Sequence, residues 1–512
     1  TPHFALIALI VLSLGAAVRI AYLDVPPIDF HPTRQYRSAL IARAESDAAL
    51  APLSPVERGN AVAMAQAQTE IEPELMEPIA SALYDLTGRE DLKWPRAVAI
   101  MGWLLAAVST GWLVVLGVRS AECAVRSAEC AVRSAECAVR SADSAPPHSA
   151  LPHSALGTAH SALRTAHSAL IAMFVVLFVP YSVDASRAFM PDPWMVGLTM
   201  LALALAMRHH VSPAVWTMVG RVVVAAAAIY VKPMAVFFIA PAFLAIDIAR
   251  LGLIRGVLSA AVTLAVCAAP AGWHYAELMS SGNPVAQSRF YPELWSRPTF
   301  WTGWLDMVGR VNGYLWIAAL VGLVLGRGPL RVMLAGAWVG YLAMGFVFSH
   351  HISTHDYYSL PLIPLVAASL ALLVRERSSA RPGFSPTVPW PWVAAGVAVA
   401  ILATTSIERV YGNVDRARQT AADYERIGEL TGHKHLGSLI AHQKGSASPS
   451  ERIALVREVQ PPAVGLAGAF NGEGVILGPF ICGHLDFEAI TSGLAELLEQ
   501  PDVAVGESVV SI

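Results

Sequence analysis

The run PPIDFHPTRQYRSALIAR, Pro26 to Arg43, sets a carboxylate, Asp29, just ahead of a segment carrying Arg34, Arg37 and Arg43. The Pro-Pro pair stops whatever helix precedes it, and the pattern after Pro32 predicts an amphipathic helix. A carboxylate beside guanidiniums at a membrane edge is either a structural ion pair or a general base. In the second reading Asp29 takes a proton from a hydroxyl while Arg34 and Gln35 supply hydrogen-bond donors. His31, between them in sequence, joins Arg34 and Gln35 as a substrate-binding candidate.

SVDASRAFMPDPWM, Ser182 to Met195, places a second acid, Asp192, between Pro191 and Pro193, which stiffen the backbone and stop a helix from running through it. A fixed acid at a membrane surface is costly unless solvated or paired. Arg187 is either its partner or an anion-binding group, in which case Asp192 orients a substrate hydroxyl. Asp184 is a less constrained acid for either role. In IYVKPMAV, Lys232 stands at a tight turn between apolar runs, as a snorkelling anchor or as a point charge on a phosphate.

SHHISTHDYYSLPLIP, Ser349 to Pro364, packs His350, His351, His355, Asp356, Tyr357 and Tyr358 into one loop. It offers donors and a titratable imidazole where a polar headgroup would sit, although a Tyr pair alone suits an aromatic belt. A metal site there lacks a matching carboxylate spacing. The aromatic run from Phe290 to Arg310 suits belt anchoring better than sugar stacking.

These residues need a scaffold, and the composition names it. Of 512 residues, 55% are apolar and 14% charged, with a mean hydropathy of +0.52. Soluble chains carry about 25% charged residues, so a soluble enzyme, a disordered chain and a nucleic-acid binder are excluded. A net charge of −3 leaves no basic surface for polyanions. Of the cysteines, Cys123, Cys130 and Cys137 share one repeat, Cys267 lies in an apolar run and Cys482 stands alone, so neither a disulfide framework nor a zinc site is expected.

A crossing helix needs about 20 mostly apolar residues, and about eleven such runs are expected: 4–23, 97–118, 166–183, 193–207, 214–230, 234–248, 254–272, 313–326, 330–348, 359–374 and 388–405. The chain begins at Thr1, and a short leader ahead of it is expected; the first run lacks a cleavage signal and reads as a membrane helix. Alternation gathers most loop arginines, from Arg119 to Arg381, on one side, which the positive-inside rule makes cytoplasmic. Asp29, Asp192, Lys232 and the histidine-tyrosine loop then share the extracytoplasmic face.

The expected architecture is an all-α polytopic membrane protein with a small extracytoplasmic C-terminal α/β domain. Its transmembrane domain spans 1–405, including a long extracytoplasmic first loop, 24–96. Segment 119–168 repeats RSAECAV and then decays into HSAL-type repeats, which reads as a low-complexity insertion in a cytoplasmic loop. The tail, 406–512, is long enough for the small domain.

The order of these segments resembles the GT-C glycosyltransferases of family 39, which contains protein O-mannosyltransferases and the lipid A aminoarabinose transferase. The resemblance covers roughly 4–405 without the insertion. It is carried by Asp29 in the first loop, SRAFMPDP at 186–193, the Lys232-Pro233 corner and HDYYSLPLIP at 355–364, with WPRAVAIMGWLL at 94–105 matching an arginine that leads into a span. Many members have Asp-Glu at the first acid, whereas Asp29 is followed by Phe30-His31-Pro32.

The resemblance implies an inverting transferase that takes a sugar from a polyprenyl-phosphate carrier in the bacterial inner membrane, on the extracytoplasmic side. Asp29 becomes the base for the acceptor hydroxyl and Asp192 the second acid. Arg187 and Lys232 become contacts for the donor phosphate, and His355, Asp356, Tyr357 and Tyr358 position the donor. The acceptor is a lipid, glycan or protein, membrane lipids surround the protein, and no nucleic acid takes part. No cofactor is expected, with a divalent metal left open. The absence of a Gly-rich phosphate loop or an Asp-x-Asp pair in the sequence suits a donor without a nucleotide diphosphate. The rival readings are a transporter or flippase of lipid-linked glycans, and an O-antigen ligase or polymerase.

Overall fold

In the computed structural model the chain forms two compact units. The first comprises Thr1–Val18, Ile100–Ser186 and Asp192–Ser406; the second comprises Arg19–Ala99, Arg187–Pro191 and Ile407–Ile512. Residues 2–379 are described except 26, 28, 54, 67, 69–71, 143–153 and 281–289, and beyond them most of 404–419 and five strands of the tail.

The described part of the first unit is all-α. Among the described residues of the chain, five stretches are long and apolar enough to cross a membrane: Lys93–Ala121, which starts in the second unit, Asp192–Val211, Leu253–Ser280, Pro329–Val347 and Asp356–Val374. A sixth is added if Pro298–Asn312 and Leu315–Leu325, bent by 91°, count as one broken span. This corrects the expectation of about eleven crossings. Val215–Val231 has 17 residues and Leu315–Leu325 has 11. At about 1.5 Å per residue they reach roughly 26 and 16 Å, short of a core about 30 Å thick. An apolar run shows composition, not where its helix breaks. The expected span 388–405 lies almost wholly outside the described residues.

The heptapeptide repeats continue the second expected span as one helix, Lys93–Ala142, and the HSAL-type repeats open the helix Ser154–Phe178. The closest packing that matters for function joins Ala235–Leu251 to Pro329–Val347. A Cβ on Gly336 or Gly340 would strike the carbonyl oxygens of Pro241 and Phe237. Lipid offers helices no hydrophobic drive to associate, so bare backbone faces spaced four apart are what allow this approach. It fixes the start of one helix, just after Lys232, against the end of the other, just before Ser349.

The second unit is held by polar contacts. Pro32 occupies the first turn of the helix Pro32–Ala44, where its missing N–H costs nothing. Along that helix Arg34 pairs with Glu72 at 2.6 Å, Arg37 with Glu74 at 3.1 Å and Arg43 with Glu90 at 2.9 Å, while the Ser38 hydroxyl donates to Glu77 at 2.5 Å. The helix Met76–Thr87 ends on Gly88, whose φ of 70° suits a residue without Cβ. The tail strands form one sheet in the order Val475–Pro479, Gly468–Asn471, Leu436–Ile440, Arg452–Val456, Glu507–Ser511; the second and third of these run parallel and the other neighbours antiparallel.

Candidate functional site

In the second unit Asp29 is the hub. Arg96, fully buried, clamps both carboxylate oxygens, Nη1 to Oδ2 at 3.0 Å and Nη2 to Oδ1 at 2.8 Å. Such a bidentate fork fixes the carboxylate plane as well as balancing its charge. Gln35 Nε2 adds a bond to Asp29 Oδ1 at 3.2 Å and to the Phe30 carbonyl at 2.5 Å. The Gln35 amide oxygen accepts from Phe189 N at 3.0 Å, which ties the first loop to the short segment 187–191 of the same unit. Burial pushes the Tyr36 phenol up to about 12, with Asp29 adding to the shift and Arg96 opposing it.

The remaining candidates of this unit make contacts of their own. Arg34, expected to donate beside Asp29, is instead bidentate to Glu72. His31 ends the turn ahead of the helix with a left-handed φ of 40°, its ring edge-on to Phe30 at 4.5 Å. Arg187, read either as the partner of Asp192 or as an anion-binding group, donates to the Tyr22 carbonyl at 2.8 Å. A small cavity in this unit is lined by Arg34, Arg37, Ser38, Glu72, Glu77 and Met190. Burial raises the Glu77 carboxyl above the usual range, against the lowering by the Ser38 hydroxyl and Arg37.

In the first unit Asp192 opens the helix Asp192–Val211, where the unpaired N–H groups of the first turn favour a negative charge. Its partner is Lys232, Nζ to Oδ1 at 2.8 Å, and both side chains are 3% exposed. Lys232 is therefore neither a snorkelling anchor nor a cation in open water. Its ammonium also lies over the rings of Tyr357 and Tyr358, at 5.2 and 5.9 Å from their centroids. The second carboxylate oxygen, Asp192 Oδ2, is buried with no hydrogen-bond partner among the described residues.

Behind the tyrosines lies the histidine cluster. His355 sits edge-on to Tyr357 at 5.7 Å and stacks on His351 at 5.2 Å, while its Nδ1 is hydrogen-bonded to Thr354 Oγ1 at 2.8 Å. Asp356 accepts from the Tyr181 hydroxyl at 2.7 Å, which pins this loop to the short helix Pro180–Ala185 that carries the buried Asp184. Among the described residues no group of three or more His, Cys, Asp or Glu converges on a point that would hold a metal ion.

The structure thus joins Asp192, Lys232, Tyr357 and Tyr358 in one unit, and Asp29 with Gln35 in the other. Sequence reasoning did not anticipate Arg96 as the partner of Asp29, nor Tyr181. It also missed a second buried pair, Arg221 with Asp247 at 2.8 Å, inside helices read as plain spans. A lone charge within an apolar run is the signal that would have found the last.

No protein-family model matches the chain, and no curated protein matches it. Among solved structures, the chain is similar to the crystal structure of ArnT from Cupriavidus metallidurans in the apo state, with 14% identity, a TM-score of 0.45, and coverage of 85% of this chain and 81% of that one. It is also similar to the structure of the same protein bound to undecaprenyl phosphate, with 15% identity, a TM-score of 0.45, and coverage of 86% and 82%.

Proposed function

We propose that the protein is an integral-membrane glycosyltransferase of the GT-C kind, related to family 39 and mannosyltransferase-like enzymes. In this reading it moves a sugar from a polyprenyl-phosphate donor to an acceptor hydroxyl of a lipid, glycan or protein on the extracytoplasmic face of the bacterial inner membrane. The observation that carries this reading is the setting of Asp29. A carboxylate fixed by a buried guanidinium and a glutamine amide is a preoriented proton acceptor at the head of a polytopic helical protein.

The chemistry is a single displacement. Asp29 accepts the proton of the acceptor hydroxyl as its oxygen attacks the anomeric carbon. The bond from that carbon to the phosphate oxygen breaks, the polyprenyl phosphate leaves with the electron pair, and the anomeric configuration inverts. Arg96 and Gln35 act as positioning residues through the bonds by which both hold Asp29, with Gln35 beside the substrate. His31, Arg34 and Arg187 line the approach to donor or acceptor. Asp192 Oδ2 supplies an acceptor for a sugar hydroxyl, with Lys232, Tyr357, Tyr358, His355 and Asp356 shaping the donor's head. Cations near a phosphate leaving group spread its growing charge, and no nucleotide machinery is then needed.

The test is transfer from a radiolabelled panel of polyprenyl-phosphate sugars by the purified protein in nanodiscs, beside Asp29→Asn and Asp192→Asn. Transfer or slow release of sugar to water by the wild type, lost in Asp29→Asn, is the expected result. Undiminished turnover in Asp29→Asn removes the base, and a folded wild type silent on every donor removes the reaction.

A further inference from the structure

The charges at one end of the helical unit do not balance. Between Asp192 and Glu277 the sequence carries a single acid, Asp247, against Arg208, Arg221, Lys232, Arg250 and Arg255. Lys232 is paired with Asp192, which opens the helix Asp192–Val211, while Arg208 closes it roughly 30 Å away at 1.5 Å per residue. Arg221 takes both oxygens of Asp247, at 2.8 and 3.0 Å, and so uses up that acid. Arg208, Arg250 and Arg255 are left over, and among the described residues none of them enters an ion pair.

Two turns of the chain hold these cations. One joins Asp192–Val211 to Val215–Val231, and the other joins Ala235–Leu251 to Leu253–Ser280. The cross-link of Arg221 and Asp247, with Ser259 and Thr263, lies just inside both turns and ties them together. Arg250, in the second turn, is close enough to act electrostatically on His209 and His210 in the first. Arg208 lies over the Trp216 ring, 5.9 Å from its centroid, and His209 Nδ1 is hydrogen-bonded to Thr217 Oγ1 at 2.9 Å. From each turn an exposed apolar strip runs along a helix at three- and four-residue spacing. Trp216, Val219 and Val223 form one, and Ile254, Leu258, Val262 and Val266 the other, every member more than half exposed.

We propose that these two turns bind an anionic phospholipid in the leaflet opposite Asp192 and Lys232. Arg208 and Arg250 hold the oxygens of its phosphodiester, exposed Arg255 adds to the field, and its acyl chains lie along the two strips. Surplus cations between helices at a membrane surface are complementary to a negative headgroup. The occupant is a lipid rather than a free anion because the cations stand at the foot of the strips: Trp216 carries Arg208 on its ring, and Ile254 follows Arg250 by four residues. A phosphate held here touches nothing of the sugar-transfer site, so the two readings stand or fall separately.

The test is native mass spectrometry of the purified protein offered phosphatidylglycerol and phosphatidylcholine in equal amounts. A cation near a lipid surface is worth about fivefold in affinity, so Arg208→Gln with Arg250→Gln should lower the preference for phosphatidylglycerol roughly 25-fold. Arg327→Gln with Arg331→Gln takes two charges from a different turn and should leave the preference unchanged. Equal binding of the two lipids by the wild type overturns the proposal. An undiminished preference in the first double variant, or an equal fall in the second, does the same. Displacement of phosphatidylglycerol by millimolar inorganic phosphate would make this a site for a free anion and also overturns it. Neither Arg208 nor Arg250 holds an ion pair, so the first variant should fold. Should it not, Arg250→Gln alone is read against the same outcomes, with an expected fall of about fivefold.

Discussion

Two buried ion pairs in the helical unit are made from the same kinds of charge and differ in what they leave over. Arg221 grips Asp247 through Nη1 to Oδ1 at 2.8 Å and Nη2 to Oδ2 at 3.0 Å, Ser259 donates to Oδ2 at 2.8 Å, and Nη2 reaches Thr263 at 3.3 Å. These partners stand on three successive helices, Val215–Val231, Ala235–Leu251 and Leu253–Ser280. The pair is a closed cross-link. Asp192 and Lys232 share one contact, and Asp192 Oδ2 has none. A buried acceptor without a partner costs stability. A saturated pair therefore reads as architecture, and an unsaturated one beside two tyrosine rings reads as a place where a ligand completes the bonding.

The comparison is most sharply tested by removing one charge from the saturated pair. Asp247→Ala strands a buried guanidinium, and a loss of about 3–5 kcal/mol is expected. It should appear as a large fall in thermal midpoint in detergent, with sugar transfer per folded molecule unchanged. Charge-neutral double replacements then separate the two roles. Arg221→Met with Asp247→Leu should keep both stability and transfer, because apolar isosteres of a buried pair are often neutral. Asp192→Asn with Lys232→Met should keep stability within about 1 kcal/mol and lower transfer by about a hundredfold, the lower end of what a positioned polar group contributes. Equal losses of transfer in both doubles would erase the distinction.

Asp29 and Arg96 stand between these cases: the carboxylate is gripped by its guanidinium and by Gln35, yet Oδ2 accepts one bond, from Arg96 Nη1, and keeps a lone pair for a proton. Arg96→Lys keeps the charge and loses the fork. Transfer should fall by about tenfold in kcat with KM little changed, and Arg96→Gln should fall further. A KM effect alone would make Arg96 a donor contact rather than a positioning residue.

Much of the candidate site was legible because its residues break an apolar background at turns. Asp192 between prolines, Lys232 before Pro233 and the HDYY run each announce a polar group where a helix begins or ends. The pairings were not legible. Asp29 meets Arg96 across 67 positions, and Asp192 meets Lys232 across 40, so neither shows as a local pattern. Arg187 was the nearer cation to Asp192 in sequence, but the turn points it to the Tyr22 carbonyl instead. Arg221 and Asp247 vanished into runs counted as spans, since averaging over twenty residues hides one charge. The same averaging inflated the number of crossings, because it cannot see where a helix such as Val215–Val231 or Leu315–Leu325 stops short.

The smallest effect concerns Glu77, where burial competes with an ion pair. Its folded pKa is raised by burial, with the Ser38 hydroxyl and Arg37 opposing. With the folded value above the unfolded one, the stability Glu77 contributes is fully present below the unfolded carboxylate value, roughly 4.3, and is lost as pH rises through the folded value. Glu77→Gln retains an oxygen to accept from Ser38 and never pays to bury a charge. It gives up the attraction of Arg37, which stands at 3.8 Å and still has Glu74 at 3.1 Å. The variant should therefore melt slightly higher than wild type at neutral pH, and the gap should close as pH falls toward the unfolded carboxylate value. A variant less stable at neutral pH would mean that Arg37 outweighs burial, and that this loop, like the Arg221–Asp247 cross-link, is held by charge.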